Sequence, residues 1–265
     1  MNKTELKFVH NFLYNLSKES RNITLNGFAK VTKEFDYKYD SSPVTKYDIQ
    51  AEKKLRNLII KNFPNHNVYG EEIDNIYNSS DYTWIIDPID GTKSFLIGRP
   101  LWGTMIGLIE KNNPIIGLVD FPALDQVWLG DGSKCYFNKK KINFNISQNF
   151  NLSKSNVAST DPSMFGDRGL KKYNEIISIS KNNFWSGDCH NYILLISGSL
   201  DAVIEENLKP YDILPLIPIL NAKDIIVTDW QGKKLKFNFH KNINYKVIAS
   251  KNTKLHNEIL NVIND

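Results

Sequence analysis

The chain reads as an α+β protein of layered helices and sheets, and three observations carry that reading. Two stretches near the N-terminus repeat apolar residues at helical spacing. Three strand-like runs then follow one another across short turns, as in an antiparallel meander. Beyond about Asn145 strands and helices alternate, which implies a second layered α/β unit. In the first helical stretch, Thr4 to about Ser20, the apolar positions are Leu6, Val9, Phe12, Leu13 and Leu16. In the second, Asp48 to Phe63, they are Ala51, Leu55, Leu58 and Ile59. Thr45 and Asp48 are both N-cap types and Phe63-Pro64-Asn65 is a stop signal, so Asp48 sits at or just inside a helix N-terminus.

Asn67-Val68-Tyr69 is a short strand-like piece. Tyr82-Thr83-Trp84-Ile85-Ile86 is β-branched and aromatic and stops at Asp87-Pro88, the pattern of a buried strand ending in a turn. Gly103 to Glu110, Pro114 to Phe121 and Asp125 to Leu129 form the meander. After it come a strand at Asn156 to Ser159, helices at Leu170 to Ser178 and His190 to Gly198, and a strand at Ala202 to Glu205. A helix at Ile213 to Asn221 and a strand at Ile225 to Thr228 follow. With no repeat and no low-complexity linker, two units are expected, residues 1–145 and 146–265, packed together with a ligand cleft between them.

At 265 residues the chain can bury a sizeable core. The 33 basic against 29 acidic side chains give +4, and only Arg21, Arg56, Arg99 and Arg168 are arginines, so no nucleic-acid partner is required. Lys139-Lys140-Lys141 and Lys233-Lys234 read as solvated loops. Cys135 and Cys189 lack metal or disulfide spacing and fit a reducing cytoplasm. The N-terminus has no apolar signal region and no run approaches a membrane span, so neither export nor a membrane partner is expected. The first 40 residues, including Lys33-Glu34-Phe35-Asp36-Tyr37, carry no chemistry that can be named.

The sharpest feature is Asp87-Pro88-Ile89-Asp90-Gly91-Thr92, two carboxylates three residues apart on one abrupt turn. Pro88 stiffens the turn and Gly91 permits a backbone approach that a Cβ would block. Carboxylates so close repel unless a cation lies between them, and hard divalent ions prefer such oxygens; the Ile89 carbonyl could add a third. The bland alternative is an ordinary Asx-turn. Two further acidic stations, Gly70-Glu71-Glu72 at a strand end and Pro210-Tyr211-Asp212 at a helix start, have bland readings too, a solvated loop and an N-cap. Their coincidence at element ends flanked by apolar segments favours a shared site.

These residues make the chain resemble the magnesium-dependent, lithium-sensitive inositol monophosphatase superfamily. Asp87-Pro88-Ile89-Asp90-Gly91-Thr92 with Ser94-Phe95 matches its strand-end motif. Gly70-Glu71-Glu72, Tyr211-Asp212 and Pro43-Val44-Thr45 with Asp48 match its other acidic segments, although the family often has Trp where Tyr211 stands. The likeness runs from roughly Pro43 to Gly232. Ser159-Thr160-Asp161-Pro162-Ser163-Met164-Phe165, Gly187-Asp188-Cys189, Leu208-Lys209-Pro210-Tyr211-Asp212 and Val227-Thr228-Asp229-Trp230-Gln231-Gly232 are similar to the histidinol-phosphate phosphatase branch. Inositol-specific members more often carry a Gly-Thr-Ala type segment at 187–189.

That resemblance implies a layered α/β/α/β/α sandwich, with most metal ligands on the first unit and a mixed sheet in the second. It implies hydrolysis of a small phosphate monoester, histidinol phosphate first and an inositol phosphate as the rival. Glu71, Asp87 and the Ile89 carbonyl would hold one Mg²⁺, Asp87, Asp90 and Asp212 a second, with a weaker third near Glu71. Thr92, backed by Asp48, would help Glu71 orient or deprotonate water, while Asp90, Gly91, Thr92 and Asp212 meet the phosphate side. Gly187, Asp188 and Glu205 would form the specificity end; an anionic Asp188 suits an ammonium or imidazolium group, and its bland reading is an N-cap. His190 reads as structural, Cys189 as unreactive and Arg99 as a surface residue. A homodimer is expected from the likeness alone. An inactive regulatory homologue is the reading from a different class, disfavoured by the intact acidic set.

Overall fold

The computed structural model describes residues 3–30, 34–39, 42–143 and 151–265. Helix α1 (Lys3–Phe28) runs past the expected end at Ser20 because Ser20 and Thr24 are themselves buried. Two short strands, β1 (Asp36–Tyr37) and β2 (Pro43–Val44), pair antiparallel. Helix α2 (Lys46–Asn62) starts at Thr45: the Thr45 hydroxyl accepts from the Tyr47 N–H at 3.1 Å, and the Asp48 carboxylate accepts from the Thr45 N–H at 2.8 Å. This reciprocal cap places Asp48 in the first turn, buried.

Strands β3 (Asn67–Gly70) and β4 (Tyr82–Asp90) are followed by a one-turn helix α3 (Thr92–Leu96), then by β5 (Gly103–Glu110), β6 (Asn113–Phe121), β7 (Gln126–Gly130), β8 (Cys135–Phe137) and β9 (Lys140–Lys141). The seven strands form one sheet in chain order. Its meander is as expected, but β3 lies parallel to β4, so the sheet is not wholly antiparallel. Strand β4 also continues past Ile86 to Asp90, its register against β5 shifting between Asp87 and Asp90. Lys140 and Lys141, expected in a loop, form the sheet's edge strand, where lysine discourages pairing with another chain.

Beyond it come β10 (Asn156–Ser159), α4 (Asp167–Ile179), β11 (Asn182–Trp185), α5 (Cys189–Ser197), β12 (Ala202–Leu208), α6 (Pro210–Ile213), α7 (Ile217–Asn221), β13 (Ile226–Asp229), β14 (Tyr245–Ser250) and α8 (Thr253–Asn264). The second sheet has the order β11-β10-β12-β14-β13 and is mixed, as expected. The single helix expected at Ile213 to Asn221 is instead two short ones. Pro215 and Pro218 cannot donate to a continuing ladder, and Pro218 opens α7. The expected unit boundary at 145/146 and Lys33 lie outside the described residues.

Side-chain alternation builds the layers. Trp84 and Ile86 of β4, with Ile106 and Leu108 of β5, face α1 and α2, meeting Leu13, Leu16, Leu55 and Ile59. Ile85 and Met105 face the other way, into a core shared with α5, α7 and the inner face of the second sheet, where Val203 and Val247 lie. Ala202, Ile204 and Ile248 point outward to Tyr173 and Ile176 of α4 and Leu255 and Ile259 of α8. The result is α/β/α/β/α, with the largest core joining the two sheets. No helix of the described residues is long and apolar enough to cross a membrane.

His256 of α8 is buried between two hydroxyls: Nε2 lies 2.8 Å from Thr228 Oγ1 and Nδ1 2.9 Å from Ser250 Oγ. The Thr228 hydroxyl already donates to the Asp229 carbonyl at 2.7 Å, so Nε2–H donates to it and Nδ1 accepts from Ser250. Burial lowers the imidazole from 6.5 to about 4. Between those values the unfolded chain takes up a proton that the folded one refuses, so stability falls as pH drops through that window. Thermal melts at pH 7.5 and 5.0 should therefore show a smaller loss in His256→Gln than in the parent; equal losses would remove His256 as the cause.

Candidate active site

Strand parity aims Asp87 into the inner layer, since Ile85 two residues earlier faces the shared core. Proline 210 opens α6, and the Lys209 N–H donates to Asp212 Oδ2 at 2.7 Å, so one oxygen of this carboxylate caps the first turn from the third helical position. Asp87, Asp90 and Asp212, from two separate segments, bring carboxylate oxygens within 4.8 Å of one another. Glu71 joins them from the end of β3, near enough for its charge to raise both Asp87 and Asp212. The three acidic stations thus meet in one place.

Glu71 is held there by a buried support. Glu52 and Arg56 of α2 are 0% and 3% exposed and pair at 2.7 Å. Glu52 accepts from the Glu72 and Ile73 N–H groups at 2.7 and 3.2 Å, and Arg56 donates to the Ile73 and Asp74 carbonyls at 2.6 and 2.9 Å. Gly70 makes the close approach possible: a Cβ there would stand 2.2 Å from Glu52 Oε1 and 2.7 Å from Arg56 Nη2. Lys38, from the segment with no expected chemistry, places Nζ 2.6 Å from Glu71 and 2.7 Å from Glu72. Burial alone would lower Lys38, but the two carboxylates outweigh it and raise its pKa.

The hydroxyl of Thr92 donates to the Ile89 carbonyl at 3.0 Å, which places both at the turn. It does not reach Asp48. Asp48 Oδ2 is taken by Thr45, and Oδ1 is buried without a partner. Burial lifts Asp48 to about 6, and the Glu71 charge adds to the rise. Asp48 therefore stands beside the acidic group as a neighbour of Glu71, not as a link to Thr92.

On the other flank, Ser186, Gly187 and Asp188 all have positive φ, and Asp188 occupies the N-cap position of α5 without a side-chain cap bond. The Asp188 carboxylate instead accepts from the Ser94 hydroxyl at 3.2 Å. Gly91, at φ 82°, lies so close that a Cβ would be 2.9 Å from Asp188 Oδ2. The Cys189 N–H donates to Asp90 Oδ2 at 2.7 Å. Glu205, 2% exposed, is saturated: Thr160 donates its hydroxyl at 2.6 Å and its N–H at 3.1 Å, and Tyr192 its hydroxyl at 2.7 Å. Its side chain therefore bears on the site through its charge, which adds to the rise at Asp90.

Burial and Asp90 push the Cys189 thiol far up, so it is no nucleophile. His190 packs edge-on to Phe121, and burial keeps it neutral. Arg99 is exposed and donates to Ser186.

Burial raises Asp90 to about 8 with Asp188 adding to it, and it raises Asp87 and Asp212 well above the usual carboxylate range, each also pushed by neighbouring acids. The side-chain donors at the centre are carboxylate oxygens, and among the described residues no His or Cys side chain converges there. This set fits a hard, oxygen-preferring divalent cation such as Mg²⁺, whose charge would reverse those shifts. Lys38 and Tyr192 had no signal in the sequence, and Ser94 and Thr160 fall in matched segments that assign them no role. Each acts through a partner distant in the chain, and a lone Lys, Ser, Thr or Tyr has no spacing to betray it.

The sequence matches the inositol monophosphatase family over residues 5–265. It is 37% identical over 236 residues to the chloroplastic bifunctional phosphatase IMPL2 of Arabidopsis thaliana, covering 86% of this chain and 68% of that protein. It is 30% identical over 223 residues to the histidinol-phosphatase of Chlorobaculum parvum, covering 83% and 85%. The fold superposes on an inositol monophosphatase from Zymomonas mobilis with a TM-score of 0.85 at 29% identity, over 100% of both chains.

Gly70→Ala tests the support beneath Glu71. Forcing a methyl into the Glu52–Arg56 pair should cost about 1–3 kcal/mol of stability. Phosphatase turnover of the folded protein should fall at least about tenfold, since small displacements of reacting groups cost that much or more. Unchanged turnover would show that this pair does not set the position of Glu71.

Proposed function

The chain belongs to the inositol monophosphatase family and is a phosphoric monoester hydrolase, and from that premise we propose that it hydrolyses L-histidinol phosphate. One observation carries the choice of substrate. Asp188 sits beside the acidic centre with Oδ2 held by Ser94, and its Oδ1 receives no hydrogen bond from a described residue. An anionic oxygen at that place suits the ammonium or imidazolium of an amino-alcohol phosphate, and Glu205 reinforces the negative character from behind. Neutral inositol gains less from it. The relatives named histidinol-phosphatase support the reading; the bifunctional relative keeps an inositol phosphate as the rival.

Glu71, Asp87, the Ile89 carbonyl, Asp90 and Asp212 are the groups that would hold two Mg²⁺ ions, with a weaker third at Glu71. Bound there, the ions supply charge stabilisation for the phosphate oxygens and acidify water. Glu71 takes the proton of the attacking water, which Thr92 orients from its seat on the Ile89 carbonyl. Gly91 and Thr92 offer backbone N–H groups to the phosphate. The water oxygen bonds to phosphorus as the P–O ester bond breaks, the leaving oxygen takes a proton from solvent water and departs as the alcohol, and no covalent enzyme intermediate forms. Asp188 and Gly187 hold the leaving group's cationic end.

The two free, buried cysteines support a reducing compartment, which we propose to be the cytoplasm. A homodimer carries over from the family likeness, supported by exposed Phe184 and Trp185, which line one hollow with Arg99. Light scattering on the purified protein reads it directly, and a monomeric mass would remove it.

Asp90→Asn should abolish measurable phosphate release while circular dichroism remains that of the parent; a variant as active as the parent would defeat the role given to Asp90. Asp188→Ala should lower kcat/KM for histidinol phosphate by about tenfold or more, the worth of one charge-assisted hydrogen bond. Its effect on inositol 1-phosphate should be much smaller. Equal losses on both substrates would take away the reason for preferring histidinol phosphate.

A further inference from the structure

On the face of the second sheet turned away from the acidic centre, three cations converge on one small cavity of about 110 Å³. Arg168 and Lys172 come from consecutive turns of α4 and Lys246 from β14, while Trp230 and Asn264 complete the wall. Arg168 and Lys172, four residues apart on one helix, repel each other. Arg168 makes no ion pair or hydrogen bond with any described residue. Lys172 Nζ is 2.9 Å from Glu175, and Lys246 Nζ is 2.6 Å from Glu206 and 4.9 Å above the Trp230 ring. Three positive charges therefore face two carboxylates. Asp167 lines a separate hollow on the outer side of α4.

A second observation points the same way. Trp230 is 5% exposed, and its indole N–H is buried without a hydrogen-bond partner. Buried donors are nearly always satisfied, so an open one on a residue that lines a cationic cavity calls for an acceptor. The space is too small for a nucleotide or a sugar. It is wide enough for a four-oxygen anion, which can accept from a guanidinium, two ammonium groups and an indole N–H at once.

We propose that this cavity is a binding site for a tetrahedral oxyanion, phosphate in the first place, separate from the acidic centre. Parity keeps the two sites apart yet adjacent: Glu205 on β12 is bonded by Tyr192 of the inner layer, and Glu206, the next residue, points outward to Lys246. An anion there competes with Glu206 for Lys246. The same chemistry describes a free phosphate ion and the phosphate end of a larger molecule.

The test is calorimetric titration of the Mg²⁺-loaded full chain with inorganic phosphate, in the parent, in Asp90→Asn and in Arg168→Gln/Lys172→Gln. Arg168 is exposed, whereas Lys172 is half-buried against Glu175, so circular dichroism of the double variant must match that of the parent, and Arg168→Gln alone, which leaves that contact intact, should weaken the same binding event. The parent should bind at this site in addition to the acidic centre, and Asp90→Asn should keep it. The double variant should bind there at least tenfold more weakly while its turnover at low phosphate is unchanged. Trp230→Phe, which removes only the indole donor, should weaken the same event. Methylphosphonate separates the sources: affinity equal to phosphate assigns the site to the end of a larger molecule, and a tenfold preference for phosphate assigns it to the free ion. An identical isotherm in parent and double variant overturns the proposal, as does a tungstate soak that places tungsten only at the acidic centre.

Discussion

The structure is organised around the mutual repulsion of buried and half-buried carboxylates. Two ionised carboxylates within 4.8 Å of each other in a partly screened interior repel by roughly 3–4 kcal/mol or more, and Asp87, Asp90 and Asp212 form such pairs, with the Glu71 charge adding to Asp87. No single core contact offsets that. What makes the arrangement tolerable is the rest of the fold: each carboxylate is fixed by its own element, through the Lys209 N–H for Asp212, the Cys189 N–H for Asp90 and the Glu52–Arg56 pair beneath the Glu71 loop. The stability lost at this centre is recovered in the three apolar cores on either side of the two sheets. Such a concentration of like charge is a functional expense of a kind that a purely structural site does not carry.

Much of this was legible in the residues. The meander, the two opening helices, and β10 with its expected ends Asn156 and Ser159 follow from periodicity, since apolar spacing of two or about four residues is a direct record of which face is buried. The acidic stations could be read because carboxylates at element ends beside apolar runs are uncommon without a purpose. Glu71, Asp87, Asp90 and Asp212 do come together.

What stayed hidden depends on contacts between distant segments. Nothing local distinguishes Lys38 from any other surface lysine, yet it bridges Glu71 and Glu72. The expected link between Thr92 and Asp48 is absent because Thr45, only three residues from Asp48, takes its carboxylate as a helix cap and the Ile89 carbonyl takes the Thr92 hydroxyl. Local hydrogen bonds won over the long-range one. The prolines at 215 and 218 were visible in the chain, but helical apolar spacing across them masked the break between α6 and α7.

The claim on which the account rests is that divalent cations relieve the repulsion among these carboxylates in the folded state and not in the unfolded one. Thermal melting of the parent in chelator and in millimolar Mg²⁺ measures it most directly. An ion present at 100 times its dissociation constant adds about 2.7 kcal/mol, which for a chain of this size raises Tm by at least about 5 °C. Asp87→Asn/Asp212→Asn should melt higher than the parent in chelator and gain little from Mg²⁺. A parent whose Tm is the same with and without Mg²⁺ would contradict the account.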